Sequence, residues 1–287
     1  MDQWKTGSGL ADRVCDQSVT ISRGLVENLE LLREEIMALL EVKNLNKRFG
    51  GITAVKDFDL QIEKGEIVGL IGPNGAGKTT LFNLITGFLK PDSGTIFFKG
   101  KNITKLKPHK IANMGLVRTF QLIKPFKRML AIENVAVGCY SDRFKKEEKA
   151  DVPQKAFNTL KRVGINPPET FKFAASLSHG YSRRLDIARA LVLEPDVLLL
   201  DEPFGGLGTK ESKLLTPLIK KLQKEDDLTL IIIEHKMRQL MKLAEKLVVM
   251  QFGEKIAEGN CKEIANDPKV CEAYLGRGGN GYSSYSK

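Results

Sequence analysis

A glycine-rich loop at residues 72–80, with the sequence GPNGAGKTT, constrains this chain more than any other segment. It follows a short apolar run, Ile67–Ile71, and precedes a stretch of helical character. The loop fits the pattern G-x-x-x-x-G-K-[ST], whose defining positions are Gly72, Gly77, Lys78 and Thr79. Between a strand and a helix, such a loop turns successive backbone N–H groups inward and forms a cradle for phosphate oxygens. The sequence therefore predicts an α/β fold that binds a nucleotide through its phosphates.

Every residue of the loop is a candidate phosphate ligand: Gly72, Pro73, Asn74, Gly75, Ala76, Gly77, Lys78, Thr79 and Thr80. We expect the ammonium group of Lys78 to reach the β- and γ-phosphates and the hydroxyl of Thr79 to bind magnesium. ATP and Mg²⁺ are therefore the expected substrate and cofactor.

An acidic pair follows the apolar run Val197–Leu200, in the sequence VLLLDEP. Four apolar residues in a row are typical of a strand buried on both faces, and open α/β sheets bind ligands at the carboxyl ends of such strands. We expect Asp201 to belong to the magnesium shell and Glu202 to polarise a water for attack on the γ-phosphate. Alone, the pair fits two solvated acids equally well; together with the loop it favours a hydrolytic site.

Short apolar runs alternate with helical segments along the rest of the chain. We expect strands at Leu39–Val42, Phe58–Ile62, Ile67–Ile71, Thr95–Phe98, Leu116–Phe120, Val197–Leu200 and Leu228–Ile233. Helices are expected from Lys78, near Lys210–Glu225, near Met237–Glu245 and over most of 122–193, with breaks at Pro153 and Pro167-Pro168. The alternation predicts a mostly parallel sheet with helices on both faces.

The composition is that of a globular protein with an excess of positive charge. The 287 residues are 42% hydrophobic and carry a formal net charge of +10. A basic balance favours an anionic partner such as a nucleotide, a nucleic acid or a membrane surface; a solvated lysine-rich surface is the alternative. The longest apolar runs are far shorter than the ~20 residues of a membrane-spanning helix. The four cysteines lack CxxC spacing, which argues against a zinc site or a disulfide framework.

Residues 177–184 read LSHGYSRR and stand just before the acidic strand. They resemble the signature motif of ABC-type ATPases, usually LSGGQ. Five elements stand in that family's order: the phosphate loop, Phe120-Gln121, LSHGY, LLLDEP and His235. The resemblance covers about residues 38–276. It implies a P-loop NTPase fold with a RecA-like core, an antiparallel β subdomain and an α-helical subdomain, and it implies ATP hydrolysis coupled to transport.

The resemblance also implies roles for single residues. Phe49 matches the aromatic residue that stacks on adenine, with core packing as its alternative. Gln121 matches the glutamine that contacts magnesium and the attacking water, and His235 matches the histidine that contacts the γ-phosphate and Glu202. Ser178 and Gly180 match groups that contact the γ-phosphate held by the opposite subunit. A head-to-tail pair of ATPase subunits, identical or different, is therefore implied, with ATP holding the two together.

Three positions depart from the family's pattern. His179 replaces the first glycine of LSGGQ, where we expect it to be tolerated or to add positive charge near phosphate. Tyr181 replaces the glutamine. Gly208, in FGGLG, stands where the family usually has Asp or Asn, so a side chain that helps couple the two sites is missing.

Several phrases, among them VRTFQ, IIIEHKM and KVCEAYLG, are similar to ATP-binding subunits of branched-chain amino acid importers. Urea, amide and lipopolysaccharide transporters share much of this, and a nucleic-acid or ribosome-associated ABC ATPase is the rival class. The likeness implies integral membrane permease subunits and a periplasmic or extracellular substrate-binding protein as partners, and no nucleic acid. The implied location is the cytoplasmic face of the membrane, as a peripheral subunit.

The first 36 residues differ from the rest, with four Lys/Arg against seven Asp/Glu. We expect an ABC ATPase domain over 37–276, a helical subdomain over about 122–193 and a flexible tail at 277–287. Translation is expected to start at Met37, because the charge balance and the family likeness both change there. The alternative is a real amphipathic helix from Leu25 to Leu40.

Overall fold

The computed structural model describes residues 38–144 and 151–275. Its strands are β1 (Leu40–Phe49), β2 (Ile52–Ile62), β3 (Ile67–Ile71), β4 (Ser93–Phe98), β5 (Lys101–Asn102), β6 (Leu116–Arg118), β7 (Val197–Asp201), β8 (Thr229–Ile233), β9 (Lys246–Gln251) and β10 (Glu254–Asn260). Its α-helices are α1 (Lys78–Ile85), α2 (Pro108–Asn113), α3 (Ala131–Cys139), α4 (Val152–Arg162), α5 (His179–Leu191), α6 (Thr209–Asp226), α7 (Met237–Leu243), α8 (Cys261–Asn266) and α9 (Pro268–Leu275).

The strands form two sheets. The larger has six strands in the order β10-β9-β3-β8-β7-β6, and all neighbours in it are parallel except β9 and β10. The smaller is antiparallel, in the order β2-β1-β4-β5. The mixed α/β architecture predicted from the sequence, with an antiparallel part beside a parallel core, is confirmed.

Side chains of the six-stranded sheet alternate between two hydrophobic cores. On β3, Ile67 and Ile71 join the core formed with α3 to α7, whereas Val68 and Leu70 join the core formed with the antiparallel sheet and α1. Both faces of the central strands are therefore buried, which explains their continuous apolar runs. Helices were expected on both faces of the sheet. In the structure one face is covered by the antiparallel sheet together with α1.

Register explains why residues far apart in sequence meet at one edge. Arg118 pairs with Leu199, and Asp201 pairs with Ile233. Because these strands are parallel, the residues that follow β6, β7 and β8 leave the sheet side by side. The peptide N–H of Glu202 also donates to the carbonyl of Ile233 at 2.9 Å, which fixes this edge beyond the last ladder pair.

Several local expectations need correction. Pro153 does not break a helix: it lies in the first turn of α4, where its missing N–H costs nothing. The strand expected over 116–120 ends at Arg118, because the next residues turn into the loop that carries Gln121. The β9–β10 hairpin was not predicted. The interpretations of residues 1–36 and 277–287 lie outside the described residues, although Leu40, at the end of the suggested helix, belongs to β1.

Within 122–193, the described regular elements are α3, α4, α5 and two short 3₁₀ turns. Buried Asn134, on α3, ties the segment before that helix to it. Its amide oxygen accepts the Phe126 N–H at 2.8 Å, and its Nδ2 lies 3.1 Å from the Phe126 carbonyl and 2.9 Å from the Leu130 carbonyl. One side chain thus sets the path of residues 126–130. Among the described helices, none combines the length and apolar character needed to cross a bilayer.

Asn134→Ala should lower the free energy of unfolding by about 2–4 kcal/mol, because it leaves several buried backbone groups without partners. Urea denaturation of the purified chain measures the change. Asn158→Ala is the matched control. Asn158 is an exposed asparagine on α4, and its side chain accepts a hydrogen bond from Gln154 on the same helix. Equal losses in the two variants would contradict the anchoring role of Asn134.

Candidate active site

The loop at 72–80 is held from behind by two strand ends. A Cβ atom on Gly72 would fall on the carbonyl oxygen of Met250, and one on Gly77 would fall on that of Ala54. Both glycines also have positive φ angles, 153° and 103°. The loop therefore has no room for side chains on its protein side. On its open side, a Cβ at Gly75 would meet nothing within 4 Å.

Lys78 is a buried cation at the start of α1. Its Nζ donates to the carbonyls of Gly72 at 2.6 Å and Pro73 at 3.0 Å, and its residue is only 6% exposed. Burial lowers the pKa of Lys78, and the nearby carboxylates of Glu202 and Asp201 partly oppose that shift. The first-turn N–H groups of α1 have no acceptors within the helix. Together the ammonium group and these donors fit an anionic ligand such as a phosphate chain.

Glu202 is the point where three loops meet. Gln121 donates through Nε2 to its Oε2 at 3.0 Å, and Nε2 of His235 lies 3.1 Å from its Oε1. Glu202 has a φ of 49°, a left-handed conformation that a non-glycine residue rarely adopts. The three residues predicted to be catalytic are thus brought into direct contact, with their carboxylate held from both sides.

Asp201 makes an ion pair that the sequence interpretation missed. Arg118 donates through Nη2 to Asp201 Oδ2 at 2.6 Å and through Nη1 to Asn83 at 2.6 Å, and both partners of the ion pair are almost completely buried. The guanidinium group also lies over the ring of Phe120, with 5.0 Å to its centroid. The pairing of β6 with β7 was the signal that could have found it, because it puts Arg118 opposite Leu199, two residues before Asp201.

The residues predicted to hold magnesium fit that ion by their chemistry. Thr79 offers a hydroxyl, Gln121 an amide oxygen and Asp201 a carboxylate, and Mg²⁺ prefers oxygen ligands. Because Arg118 takes Oδ2 of Asp201, Oδ1 is the carboxylate oxygen that remains for a cation. Thr79 and Gln121 are exposed at the site, as partly hydrated coordination requires.

Phe49 stands at the end of β1 with 47% of its surface exposed. Lys47 lies over its ring at 5.6 Å from the centroid. Core packing, the alternative explanation of this aromatic residue, is therefore wrong. An exposed ring can offer a face to a base.

The signature segment begins α5. Ser178 is its N-cap, accepts the N–H of Tyr181 at 3.4 Å through Oγ and the N–H of Ser182 at 2.8 Å through its carbonyl. In the described ranges, no hydrogen bond joins Ser178 to residues 72–80 of the same chain. A Cβ on Gly180 would approach Glu211 Oε1 to 2.5 Å, so a larger residue here would displace the Glu211 side chain.

The unusual His179 has a defined partner. Its Nε2 lies 3.1 Å from the carbonyl oxygen of Gly205, and a Cβ on Gly206 would come within 2.6 Å of the same nitrogen. The ring therefore bridges the signature segment and the segment after the acidic pair, and Gly206 leaves room for it. Gly208 has no side chain to contribute, and its N–H donates to Glu211 at 3.1 Å.

Glu234 is a second buried carboxylate beside the site, and the sequence interpretation did not single it out. It ends the β8 run directly before His235, is 3% exposed, and its Oε1 has no hydrogen-bond partner. Burial raises the pKa of Glu234 to about 7, and the charge of Glu202 adds to that rise. The sequence signal that could have found it is an acidic residue directly after the apolar run of β8.

Comparison with known proteins places these features in a family. Residues 55–205 match the profile described as ABC transporter, and residues 254–280 match the profile described as branched-chain amino acid ATP-binding cassette transporter. The chain is 41% identical over 250 residues to the high-affinity branched-chain amino acid transport ATP-binding protein LivG of Salmonella typhimurium, covering 83% of this chain and 98% of the relative. BraF of Pseudomonas aeruginosa, with the same description, is 39% identical over 83% of this chain and 98% of its own length.

Solved structures agree with the fold. An ATP-binding cassette of an ABC transporter in its ADP conformation superposes with a TM-score of 0.75 at 33% identity, over 84% of this chain and 99% of that one. A dimeric cassette in a post-hydrolysis state, bound to ADP and Pi, gives 0.67 at 27% identity, over 77% and 98% of the two chains.

Glu234 should make stability fall with rising pH. Its pKa is higher in the folded protein than in the unfolded chain, so the folded state keeps a proton that the unfolded state loses between pH 4.5 and 7. Relative to Glu234→Gln, the wild type should lose about 2 kcal/mol of unfolding free energy between pH 5 and pH 8. Urea melts at both values measure it. Glu245→Gln, at an exposed carboxylate, is the control and should follow the wild type; a parallel course for Glu234→Gln would contradict the assignment.

Proposed function

The chain belongs to the ABC transporter family, and on that premise we propose that it binds and hydrolyses ATP to power uptake of branched-chain amino acids across a membrane. The observation that carries the proposal is the contact of Glu202 with Gln121 and His235 beside the phosphate loop. The names of the relatives support the substrate class, because the matching chains are described as branched-chain amino acid transport proteins. Transport of urea, amides or lipopolysaccharide is the alternative within the family.

Glu202 acts as the base in this proposal. Its carboxylate takes a proton from the water that attacks the γ-phosphate, while Lys78 and the loop N–H groups hold the phosphate chain. His235, within hydrogen-bond distance of Oε1, holds the carboxylate in place and can also meet the γ-phosphate. Gln121 donates its amide N–H to Oε2, which leaves its amide oxygen as a ligand.

Thr79, Gln121 and Asp201 are the residues we assign to magnesium. When bound, the ion neutralises charge that develops on the β- and γ-phosphate oxygens. Arg118 keeps Asp201 in one orientation, since it is fixed between Asn83 and the ring of Phe120. Phe49 is assigned to the adenine ring, because its exposed face can stack on a base without any rearrangement of the hydrophobic core.

Ser178 and Gly180 are assigned to the nucleotide of a second ATPase subunit. Among the described residues, their partners are on α5 and at Glu211 on α6, and no hydrogen bond joins them to the phosphate loop. The N-terminus of α5, a 13-residue helix, supplies a positive dipole end suited to a γ-phosphate. The dimeric cassettes among the similar structures support a pair of this kind.

The permease is proposed to dock beside the Gln121 loop. Leu122 is 71% exposed and Phe126 45%. Phe171 and Phe173, which also exceed half exposure, lie on a separate segment that is bridged to Leu130 through Phe173. A surface of this kind marks an interaction site more often than a solvated one. Pro125, in the same segment as Phe126, is half-buried and is proposed with Phe126 as a contact residue. Docking there places the chain on the cytoplasmic face of the membrane, with a substrate-binding protein on the other side.

Glu202→Gln should bind ATP as the wild type does and lose nearly all turnover, because an amide cannot accept the proton of water. It should also accumulate an ATP-bound dimer on size exclusion. Lys78→Ala is the contrasting variant and should lose nucleotide binding, measured with a fluorescent ATP analogue. Turnover at the wild-type rate in Glu202→Gln would remove Glu202 from its role.

A photo-crosslinking residue at Leu122 or Phe126 should capture the membrane subunit in native membranes. The same residue at Lys224, which is exposed on α6, is the control and should give little product. Mass spectrometry of the crosslinked bands identifies the partner. Strong capture from Lys224 with none from the Gln121 loop would defeat the proposed docking face.

A further inference from the structure

Helix α5 carries three charged side chains at intervals of three residues, Arg183, Asp186 and Arg189. Residues at this spacing share one side of a helix. The side that they share meets the loop of residues 120–126, in which Gln121 lies. Arg183 and Asp186 are both buried, at 3% and 8% exposure, so neither belongs to an ordinary solvated helix surface.

Arg183 holds backbone carbonyls of two loops. Its Nη1 donates to the Phe120 carbonyl at 3.4 Å, and its Nη2 lies 3.3 Å from the Gln121 carbonyl and 3.5 Å from that of Gly205. In the described residues no carboxylate lies within ion-pair distance of it. Burying a guanidinium group costs desolvation free energy, and an apolar side chain of similar volume would avoid that cost. A buried arginine whose hydrogen bonds all go to loop carbonyls therefore suggests that those bonds hold the loops in place.

Arg189 completes the hold. Asp186 lies beside Arg189, with 3.8 Å between its Oδ1 and Arg189 Nη1. Arg189 donates through Nη1 to the Lys124 carbonyl at 3.1 Å, and its guanidinium group lies over the ring of Phe126 at 5.1 Å from the centroid. The carbonyls of Phe120, Gln121 and Lys124 are therefore bound by side chains of one helix.

We propose that Arg183 is a positioning residue for Gln121, through which α5 sets the distance between the Gln121 amide and Glu202. The inference rests on the proposed function, since it takes Gln121 as part of the hydrolytic site. It extends that function. Ser178, assigned to the partner's nucleotide, caps α5, and Arg183 on the same helix holds the Gln121 loop, so α5 connects the two. A shift of α5 on docking to a second subunit would move Gln121 in its own site.

The test is a double-mutant cycle on the full chain with Arg183→Met, Gln121→Ala and the double variant. Arg183→Met should lower kcat by about tenfold or more with little change in the KM for ATP, because misplacement of a site group by an ångström is that costly. In the Gln121→Ala background the same change should alter kcat by less than about twofold, since residues that act through one another are not additive. Additive losses, or a raised KM with kcat unchanged, would overturn the proposal.

Arg143→Met is the matched control. Arg143 also donates to two backbone carbonyls, those of Asn113 and Glu194, and pairs with Asp196, away from the Gln121 loop. It should change kcat by less than about twofold in the wild-type and in the Gln121→Ala background, because mutations at sites without shared partners have independent effects. If Arg183→Met fails to fold, Arg183→Lys replaces it: a lysine keeps the charge and one carbonyl bond, and should give an intermediate kcat. Arg183→Lys with wild-type kcat in a folded chain would overturn the proposal.

Amide hydrogen exchange separates the inference from the proposed function. Arg183→Met should speed exchange in residues 120–126 and not in β3 or β8, whatever Gln121 does in catalysis. Unchanged exchange there would overturn the positioning role. Faster exchange together with a fully active Gln121→Ala would instead refute the assignment of Gln121 in the proposed function, while α5 would still be the element that holds the loop.

Discussion

The carboxylate of Glu202 is held on one side by Gln121 and on the other by His235, and much of the structure serves that arrangement. The three residues follow three neighbouring parallel strands, and the register of those strands decides that they meet. A slip by one residue would turn each inward side chain to the opposite face. The register of β6, β7 and β8 is therefore a condition for the site, because the residues of the site are attached to the ends of these strands.

The phosphate loop and the acidic strand end could be predicted from sequence, because each is a local backbone geometry with its own residue requirements. The supports of these segments could not. Gly72 and Gly77 fit against Met250 and Ala54, which belong to a hairpin that was not predicted and to β2. Arg118 meets Asp201 only through a strand pairing 83 residues apart in sequence. Contacts of this kind depend on tertiary register, which a single sequence does not reveal.

The departures from the family's pattern make physical sense together. His179 is larger than the glycine that it replaces, and its ring rests against Gly205 and Gly206, which have no side chains to collide with it. The loss of a side chain at Gly208 is accompanied by a hydrogen bond from its N–H to Glu211, the residue that also packs against Gly180. The signature segment is thus tied to the segment after the acidic pair within one chain. Sequence comparison by position alone treats these changes as separate.

We propose that two copies of this chain share each ATP site, with the phosphate loop from one copy and Ser178 and Gly180 from the other. Subunit complementation tests it: Lys78→Ala and Ser178→Arg should each be inactive alone, and their equimolar mixture is assayed for ATP hydrolysis. In a head-to-tail pair one site of each mixed dimer is intact, so activity should return to up to about a quarter of wild type. Lys78→Ala mixed with Glu202→Gln should stay inactive, because those residues serve the same site. A Lys78→Ala and Ser178→Arg mixture that is as inactive as its components would contradict the shared site.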